Sequence, residues 1–424
     1  MLPTIEKLIE TVVKEQLMEF IVRYDILTKF QSAYRETALN LVIAKWKEIF
    51  AKGNIILAVF LDLKRAFETI DRQRLIAKLK SMGFSPSALT WFEGYLHERS
   101  QRTKVNGYIS ESIRNDIGVP QGSVLGAVLF ILYINDLPSN LTTAFVNLFA
   151  DDTLIYMHGD NVDDLKQRMN TELELINQWL RLNKLKLNVS KTKVMLIKNR
   201  SLQTAINRLS VDGEELELLH QIKYLGFIID DKLEFKDNMD YVCKKTAKKV
   251  GVLKRLARNL TMVARISIYK SIIAPHFDYC SSLLFLGDQA AFDRMQVIQN
   301  RAMRSVLQCK KLTSRVRMLE ALDWLSVKQR IYATTLTFVF KLRRGILPQY
   351  LMEMVTFNHN IHGYMARRRD DFHIVTKSYT KEMNSVFHKG LLLFNSLPSD
   401  LKNENSEMMF KRKLKSTIRE MIQN

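Results

Sequence analysis

The chain has 424 residues, 47% hydrophobic and 25% charged; this balance excludes wholesale disorder and leaves room for about three compact units at roughly 150 residues each. Its 64 Lys and Arg against 44 Asp and Glu give a net charge of +20, a surplus that needs an anionic partner, nucleic acid foremost. Seven Pro and fifteen Gly exclude collagen-like and low-complexity architectures, and three scattered cysteines (Cys243, Cys280, Cys309) exclude a disulfide framework or zinc knuckle and fit a reducing compartment.

Ile5, Leu8, Ile9, Val12 and Val13 recur at helical spacing and are continued by Leu17, Phe20 and Ile21. Glu6 and Glu10 among them are wrong for a signal peptide. Leu41, Val42, Trp46 and Ile49 mark a further helix, so residues 4–50 read as helical. The period changes at Asn54–Asp62, where the unbroken apolar run Ile55–Leu61 predicts a strand buried on both faces. A helical pattern runs from Arg72 to Met82 and stops at Gly83. Leu89–Leu96 is apolar and contains Trp91, Phe92 and Tyr95. Residues 103–117 read as a hairpin turning at Asn106–Gly107.

The turn-rich loop Gly118–Ser123 opens onto the apolar helix Val124–Ile134, the longest uncharged apolar stretch and too short to cross a bilayer, which takes about 20 residues. Val146–Ile155 reads as two apolar half-strands meeting at Asp151–Asp152, followed by a helix over 163–182 and strands at Val194–Ile197 and Tyr224–Ile229, the latter with Gly226 inside it. After about residue 240 helices dominate. Lys244, Lys245, Lys248, Lys249, Lys254, Arg255, Arg258, Arg265 and Lys270 occupy 244–270 without one acid, above an apolar stripe of Ala247, Val250, Leu253, Leu256 and Leu260. Alternating strands and helices followed by an all-helical tail predict an α+β core with a helical appendage.

Asp62 ends a buried-type strand, and Asp151–Asp152 lie between Leu148-Phe149-Ala150 and Thr153-Leu154-Ile155. An ionised carboxylate at an apolar edge is costly unless a cation pairs with it, and no basic residue lies near Asp151–Asp152 in the chain. Taken singly, Asp–Asp also fits a solvated turn, and Asp62 a strand-terminal residue opening a helix. Taken together they suit hard divalent ions such as Mg²⁺, which activate a 3′-hydroxyl and stabilise a pyrophosphate leaving group in nucleotidyl transfer.

The segment Ala58-Val59-Phe60-Leu61-Asp62-Leu63-Lys64-Arg65-Ala66-Phe67-Glu68-Thr69-Ile70-Asp71 resembles motif A of reverse transcriptases. Gly118-Val119-Pro120-Gln121-Gly122-Ser123-Val124-Leu125-Gly126, running on to Tyr133-Ile134-Asn135-Asp136, resembles motif B, and Phe149-Ala150-Asp151-Asp152 resembles motif C. Leu185–Lys193 resembles motif D and Tyr224-Leu225-Gly226-Phe227 the primer-grip motif E. Their order and spacing resemble the polymerase of non-LTR (LINE-type) retrotransposons, the jockey-like group in particular, as do Pro275-His276-Phe277-Asp278-Tyr279-Cys280 and Gln299-Asn300-Arg301-Ala302. The likeness covers nearly the whole chain.

This resemblance implies a right-hand polymerase with fingers and palm over 1–230, a helical thumb over 231–345 and a helical C-terminal region over 346–424. It implies RNA-directed DNA synthesis from an RNA template, a DNA primer and dNTPs, with two Mg²⁺ ions, or Mn²⁺ in their place. Asp62 and Asp151 would ligate both ions, with Asp152 assisting and the Leu63 carbonyl adding a backbone ligand. Phe67 would reject a 2′-hydroxyl, although its spacing alone fits a core aromatic on a helix face. Gln121 and Gly122 would touch incoming nucleotide and template, or form a simple turn. Lys191 or Lys193 would protonate pyrophosphate, or merely solubilise. Lys244/Lys248 and Lys245/Lys249 share one helical side; with Lys254, Arg255 and Arg258 they would grip the primer–template duplex by its phosphates. Arg35 would contact phosphate or template, or cap local structure.

Members of the group begin the fingers with an Arg-Pro-Ile-Ser segment and carry a few more residues between positions like Arg35 and Glu36. Neither feature is present, which predicts an N-terminally truncated copy with altered fingers, its primer nick supplied by an endonuclease on another chain. A second reading is a catalytically inactive nucleic-acid-binding remnant. A third, a polymerase making RNA, is disfavoured by Phe67. An intracellular protein, nuclear and/or cytoplasmic and without a membrane partner, is expected; Arg367-Arg368-Arg369 reads as a nuclear signal or as surface charge.

Overall fold

The computed structural model describes residues 4–32, 38–120, 122–198, 209–285, 289–361, 370–374 and 386–422. Two compact units divide the chain: Met1–Ala38 with Ile55–His220, and Leu39–Asn54 with Gln221–Asn424. Helices α1 (Thr4–Arg23) and α2 (Ala38–Ala51) precede β1 (Ile55–Leu61).

In the first unit every residue of β1 is buried, as its unbroken apolar sequence requires. After it come α3 (Arg72–Ser81) and α4 (Pro86–Leu96), capped by Asp71 and Ser85, whose side chains accept from the amides of Arg74 and Ala88. An exposed ribbon follows, built from β2 (Ser100–Gln101), β3 (Lys104–Val105), β4 (Tyr108–Ile109) and β5 (Ile113–Arg114), with its tip at Asn106–Gly107 as predicted. Then come α5 (Gly126–Tyr133), β6 (Phe145–Phe149), β7 (Asp152–Gly159), α6 (Val162–Leu182), β8 (Lys193–Ile197), the small hairpin of β9 (Ser210–Val211) and β10 (Glu214–Glu215), and β11 (Glu217–Leu218).

The main sheet has the order β11-β8-β1-β7-β6, so the most apolar strand is central. Its pairings are antiparallel except β11 with β8. Leu57, Val59 and Leu61, which share one face by strand alternation, join a core with Leu129, Phe130 and Tyr133 of α5 and Met169, Leu173 and Ile176 of α6. On α1 the buried residues are Glu10, Leu17 and Ile21, whereas Ile5, Leu8, Ile9 and Val12 face water.

The second unit carries β12 (Gln221–Tyr224) and β13 (Phe227–Asp230). The single strand expected over Tyr224–Ile229 is instead a hairpin, because Leu225 (φ 48°) and Gly226 (φ 80°) are both left-handed and reverse the chain, as in a primed two-residue turn. Next is α7 (Lys236–Leu256). The basic run over 244–270 is not one helix, since α7 ends at Leu256. A short turn of helix, Ala257–Asn259, intervenes before Thr261 caps the helix Met262–Ile268 by accepting from Ala264. Arg265 is buried and donates to the Ala257 carbonyl (3.2 Å), so it satisfies the end of α7 rather than meeting solvent. Of the stripe, Val250 and Leu253 are buried while Leu256 is exposed. Farther on, Ser326 and Gln329 form a capping box at the start of helix Val327–Arg343. Phe340 of that helix stacks on Phe410 of the terminal helix Glu407–Met421 (centroids 4.2 Å apart). No helix among the described residues is long and apolar enough to cross a membrane.

Candidate active site

Asp62 follows the last residue of β1 and is half-buried. Leu61 pairs with Thr153, so one step further along this antiparallel register sets Asp62 opposite Asp152, the first residue of β7, on the same face. Phe149 pairs with Asp152, which leaves Ala150 and Asp151 as a two-residue turn, with Ala150 left-handed at φ 52°. Three carboxylates therefore gather at one end of the sheet. Partial burial, then the negative charges of Asp151 and Asp62, push the Asp152 carboxyl above its usual range. The neutral form of Asp152 is thereby favoured relative to a solvated aspartate.

Asp62 is oriented by the segment that precedes β8. Its amide donates to Thr192 Oγ1 (3.3 Å), its carbonyl accepts from the Asn188 amide (2.7 Å), and its Oδ2 accepts from Asn188 Nδ2 (2.9 Å). Ser190 donates to Asn188 Oδ1 (2.9 Å), which turns the amide nitrogen towards Asp62. Nothing in the sequence marks Asn188 for this role. Leu63 forms an antiparallel bridge with Leu187, and the bridge's bonds use the Asp62 carbonyl and the Lys64 amide (2.8 Å to the Lys186 carbonyl). The Leu63 peptide groups stay outside them. Among the described residues no group of three or more His, Cys, Asp or Glu side chains closes into a cage able to hold a metal ion. The donor set is nonetheless hard oxygen with mutual repulsion to relieve. That suits Mg²⁺, which needs few protein ligands and completes its shell with water and phosphate.

Motifs A and B are locked together beside these acids. The Gly118 amide donates to the Ile70 carbonyl (2.8 Å) and the Val119 amide to the Phe67 carbonyl (2.9 Å). A Cβ at Gly118, where φ is +75°, would lie 2.5 Å from the Glu68 carbonyl oxygen. Phe67 is half-buried and packs on Phe130 (centroids 4.8 Å apart). Gly122 is also left-handed (φ +74°), but a Cβ there meets nothing within 4 Å. Gln121 and Arg35 lie outside the described residues, as do Arg367, Arg368 and Arg369. Lys193 donates to the Ser190 carbonyl and to Glu217 (2.6 Å), whereas Lys191 is exposed and has no ion pair among the described residues. The two lysines that the sequence left equivalent are therefore distinct.

In the second unit, Lys244, Lys248, Lys254, Arg255 and Arg258 are exposed, and Lys245 and Lys249 half-buried. Lys223 of β12 and Lys245 both donate to the Tyr241 hydroxyl (3.1 and 3.5 Å), and those bonds pull its phenol below the usual range. Lys249 reaches the Ile272 carbonyl (3.2 Å) and His276. Partial burial, then Lys249 and Lys245, hold His276 below the usual imidazole range. Lys223, Tyr241 and His276 escape a scan for charge runs because they converge only in space. The Pro275–Cys280 segment is the joint of this surface. Tyr279 donates to the Leu225 carbonyl in the β12–β13 turn, and Asp278 pairs with Arg330.

A family model described as reverse transcriptase (RNA-dependent DNA polymerase) matches residues 1–229. The chain belongs to the reverse transcriptase family. Membership gives it the right-hand polymerase class, here an α+β chain. Among its relatives, the probable RNA-directed DNA polymerase from transposon BS of Drosophila melanogaster is 25% identical over 369 residues, covering 83% of this chain and 41% of that protein. The RNA-directed DNA polymerase from mobile element jockey of the same species is 25% identical over 321 residues, covering 72% and 35%. These relatives match the jockey-like group that the motifs resemble, and the chain spans less than half the length of either. Apo telomerase from Candida tropicalis is 12% identical with a TM-score of 0.44, covering 77% of this chain and 55% of that one.

The raised Asp152 pKa fixes the sign of a stability effect. The folded state holds this proton more tightly than the unfolded chain, so ionisation costs stability, a cost absent below the unfolded pKa and complete above the folded one. Asp152→Asn is expected to raise the melting midpoint at pH 7 by about 1–3 °C, with the gain vanishing towards pH 3.5; an equal or lower midpoint at pH 7 would refute a cost of ionising Asp152 in the folded state. Gly118→Ala is expected to cost about 2–4 kcal/mol in denaturant unfolding, against about 1 kcal/mol for Gly122→Ala, where only the backbone conformation is strained.

Proposed function

We propose that this reverse transcriptase chain extends a DNA primer 3′-hydroxyl with dNTPs on an RNA template, as part of retrotransposition. The observation that carries the reading is the gathering of Asp62, Asp151 and Asp152 at one sheet end, each within electrostatic reach of Asp152. Asp62 and Asp151 would hold two divalent ions, Mg²⁺ or Mn²⁺, with Asp152 and the Leu63 carbonyl completing the protein's share. When bound, such ions lower the pKa of the attacking hydroxyl and neutralise charge on the leaving pyrophosphate.

The chain's own groups do the positioning. Asn188 fixes one oxygen of Asp62, so that carboxylate needs little reorganisation when a ligand arrives. Phe67 is braced by Phe130 and limits the room available at the sugar 2′-position. Gln121 and Gly122 contact nucleotide and template, and Arg35 a phosphate or the template. Lys191 is favoured over Lys193 as proton donor to pyrophosphate, because Lys193 is engaged by Glu217. Lys244, Lys245, Lys248, Lys249, Lys254, Arg255 and Arg258, joined by Lys223, take the phosphates of the primer–template duplex without reading its sequence. An endonuclease supplies the nicked primer.

Primer extension on poly(rA)–oligo(dT) with Mg²⁺ and dTTP tests this. Asp62→Asn and Asp151→Asn are each expected to lower the rate by about 10²–10³-fold or more while retaining duplex affinity. Wild-type protein that binds the duplex yet extends nothing would leave only a nucleic-acid-binding remnant. In the same assay Phe67→Val is expected to raise use of UTP relative to dTTP by roughly tenfold, and equal use of both by the wild type would remove the sugar gate.

A further inference from the structure

Glu10 is only 1% exposed, although it sits on α1 beside residues that face water. Acids are rarely buried to this degree, and a carboxylate withdrawn from water must be met by donors. Two are present. The Val124 amide donates to Oε2 (2.6 Å), and the Tyr95 hydroxyl of α4 donates to Oε1 (2.6 Å). Tyr95 in turn lies 2.8 Å from Ser123 Oγ. The phenol has one proton and gives it to Glu10, so the Ser123 hydroxyl donates to Tyr95. The lone pairs of Ser123 then accept from the amides of Leu125 (3.1 Å) and Gly126 (3.0 Å).

Two side chains, Glu10 and Ser123, thus accept from three successive amides, Val124, Leu125 and Gly126, and Tyr95 links the two. The amides include orphan donors at the opening of α5, and a negative charge is favoured there. The anchor itself is held. Arg99 pairs with Glu6 of α1 (2.6 Å), donates to the Tyr95 carbonyl (3.2 Å) and lies 5.3 Å from the Tyr95 ring centroid. Burial and Glu10 also push the Tyr95 phenol well above its ordinary range, which keeps it a donor. On the other side the loop folds tightly on itself, because a Cβ at Gly126 would lie 3.3 Å from the Pro120 carbonyl oxygen. Gly122, between those supports, has open space about it.

We infer that Glu10 is a positioning residue which, through Tyr95 and Ser123, sets where the Gly122–Ser123 turn presents itself to the incoming nucleotide; its contribution to nucleotide binding rests on the polymerase reading, whereas the clamp itself does not. A buried carboxylate with neutral donors is a costly way to fill space. A turn that must meet a ligand within a fraction of an ångström has use for such a restraint.

The test uses the full chain and the variants Tyr95→Phe, which deletes one hydroxyl, and Glu10→Gln, which keeps size while turning one acceptor into a donor. Three quantities are measured: affinity for an RNA–DNA primer–template, retention of dNTP on that duplex with a dideoxy-terminated primer, and hydrogen exchange of the Val124–Gly126 amides. Both variants are expected to hold the duplex within about twofold of wild type, to weaken dNTP retention by about tenfold or more, and to exchange those amides faster. Lower thermal stability with unchanged dNTP retention would reduce Glu10 to a packing residue and overturn the inference. If wild type itself retains no dNTP, the polymerase reading fails and the exchange data decide the clamp alone: faster exchange in both variants sustains it, and unchanged exchange removes it.

Discussion

Burial of one strand on both faces is the constraint on which the rest of the first unit depends. β1 has seven residues, none polar and none exposed, so its register against β7 and β8 cannot slip without carrying an apolar set into water. That register is what delivers Asp62 opposite Asp152 and beside Thr192. A carboxylate could not sit one residue earlier without being buried. One residue later, at Leu63, strand alternation would turn it to the opposite face. The geometry of the acids is therefore a by-product of hydrophobic packing several residues away, which is why it stands without any salt bridge to hold it among the described residues.

Around this fixed end, the loops are tied down through main-chain groups instead of side-chain bulk. Gly118 lets motif B lie directly on the Glu68 peptide, where any larger residue would collide with backbone. The Asp62 carbonyl and the Lys64 amide tie motif A to Lys186 and Asn188. Glu10 and Ser123 hold the other end of the motif B loop. Each restraint acts on main chain, so Phe67, Gly122 and Lys191 between them are positioned by their neighbours. Preorganisation of this kind is inexpensive at the moment of reaction because its cost has been met in folding.

What was legible in the sequence was whatever a local pattern determines. An unbroken apolar run can only be a doubly covered strand or a buried helix, and its length of seven decided for the strand. Asn106–Gly107 announced its turn by chemistry. Leu225–Gly226 did not, because leucine carries no turn signal and its left-handed backbone is sustained by the pairing around it and by Tyr279, 54 residues later. The break in the basic helix was hidden for a similar reason: Arg265 looks like its cationic neighbours but is buried and occupied by the Ala257 carbonyl. The contrast between Lys191 and Lys193 rests on Glu217, 24 residues from Lys193. Glu10 shows the limit most sharply. An acid among apolar residues reads as the polar side of an amphipathic helix, and only the distant partners Tyr95 and Val124 make it the buried side.

The distribution of charge bears on how such a chain can use a polyanion. The whole carries +20, and the second unit displays lysines that share a phenol and crowd a histidine. The sheet end in the first unit is the reverse, with burial and then Asp151 and Asp62 raising the cost of ionising Asp152. At 4 Å two unit charges repel by about 4 kcal/mol at an effective dielectric of 20, so a triphosphate brought to that end meets opposition that no described side chain there offsets. On the proposed reading this opposition is selective. Nucleic acid can be held by the basic surface without divalent cations, although less tightly as salt rises, but the nucleotide can enter only together with cations able to satisfy carboxylate and phosphate oxygens at once. Affinity for duplex and competence for chemistry then rest on separate groups of opposite charge, and a variant can lose one while keeping the other.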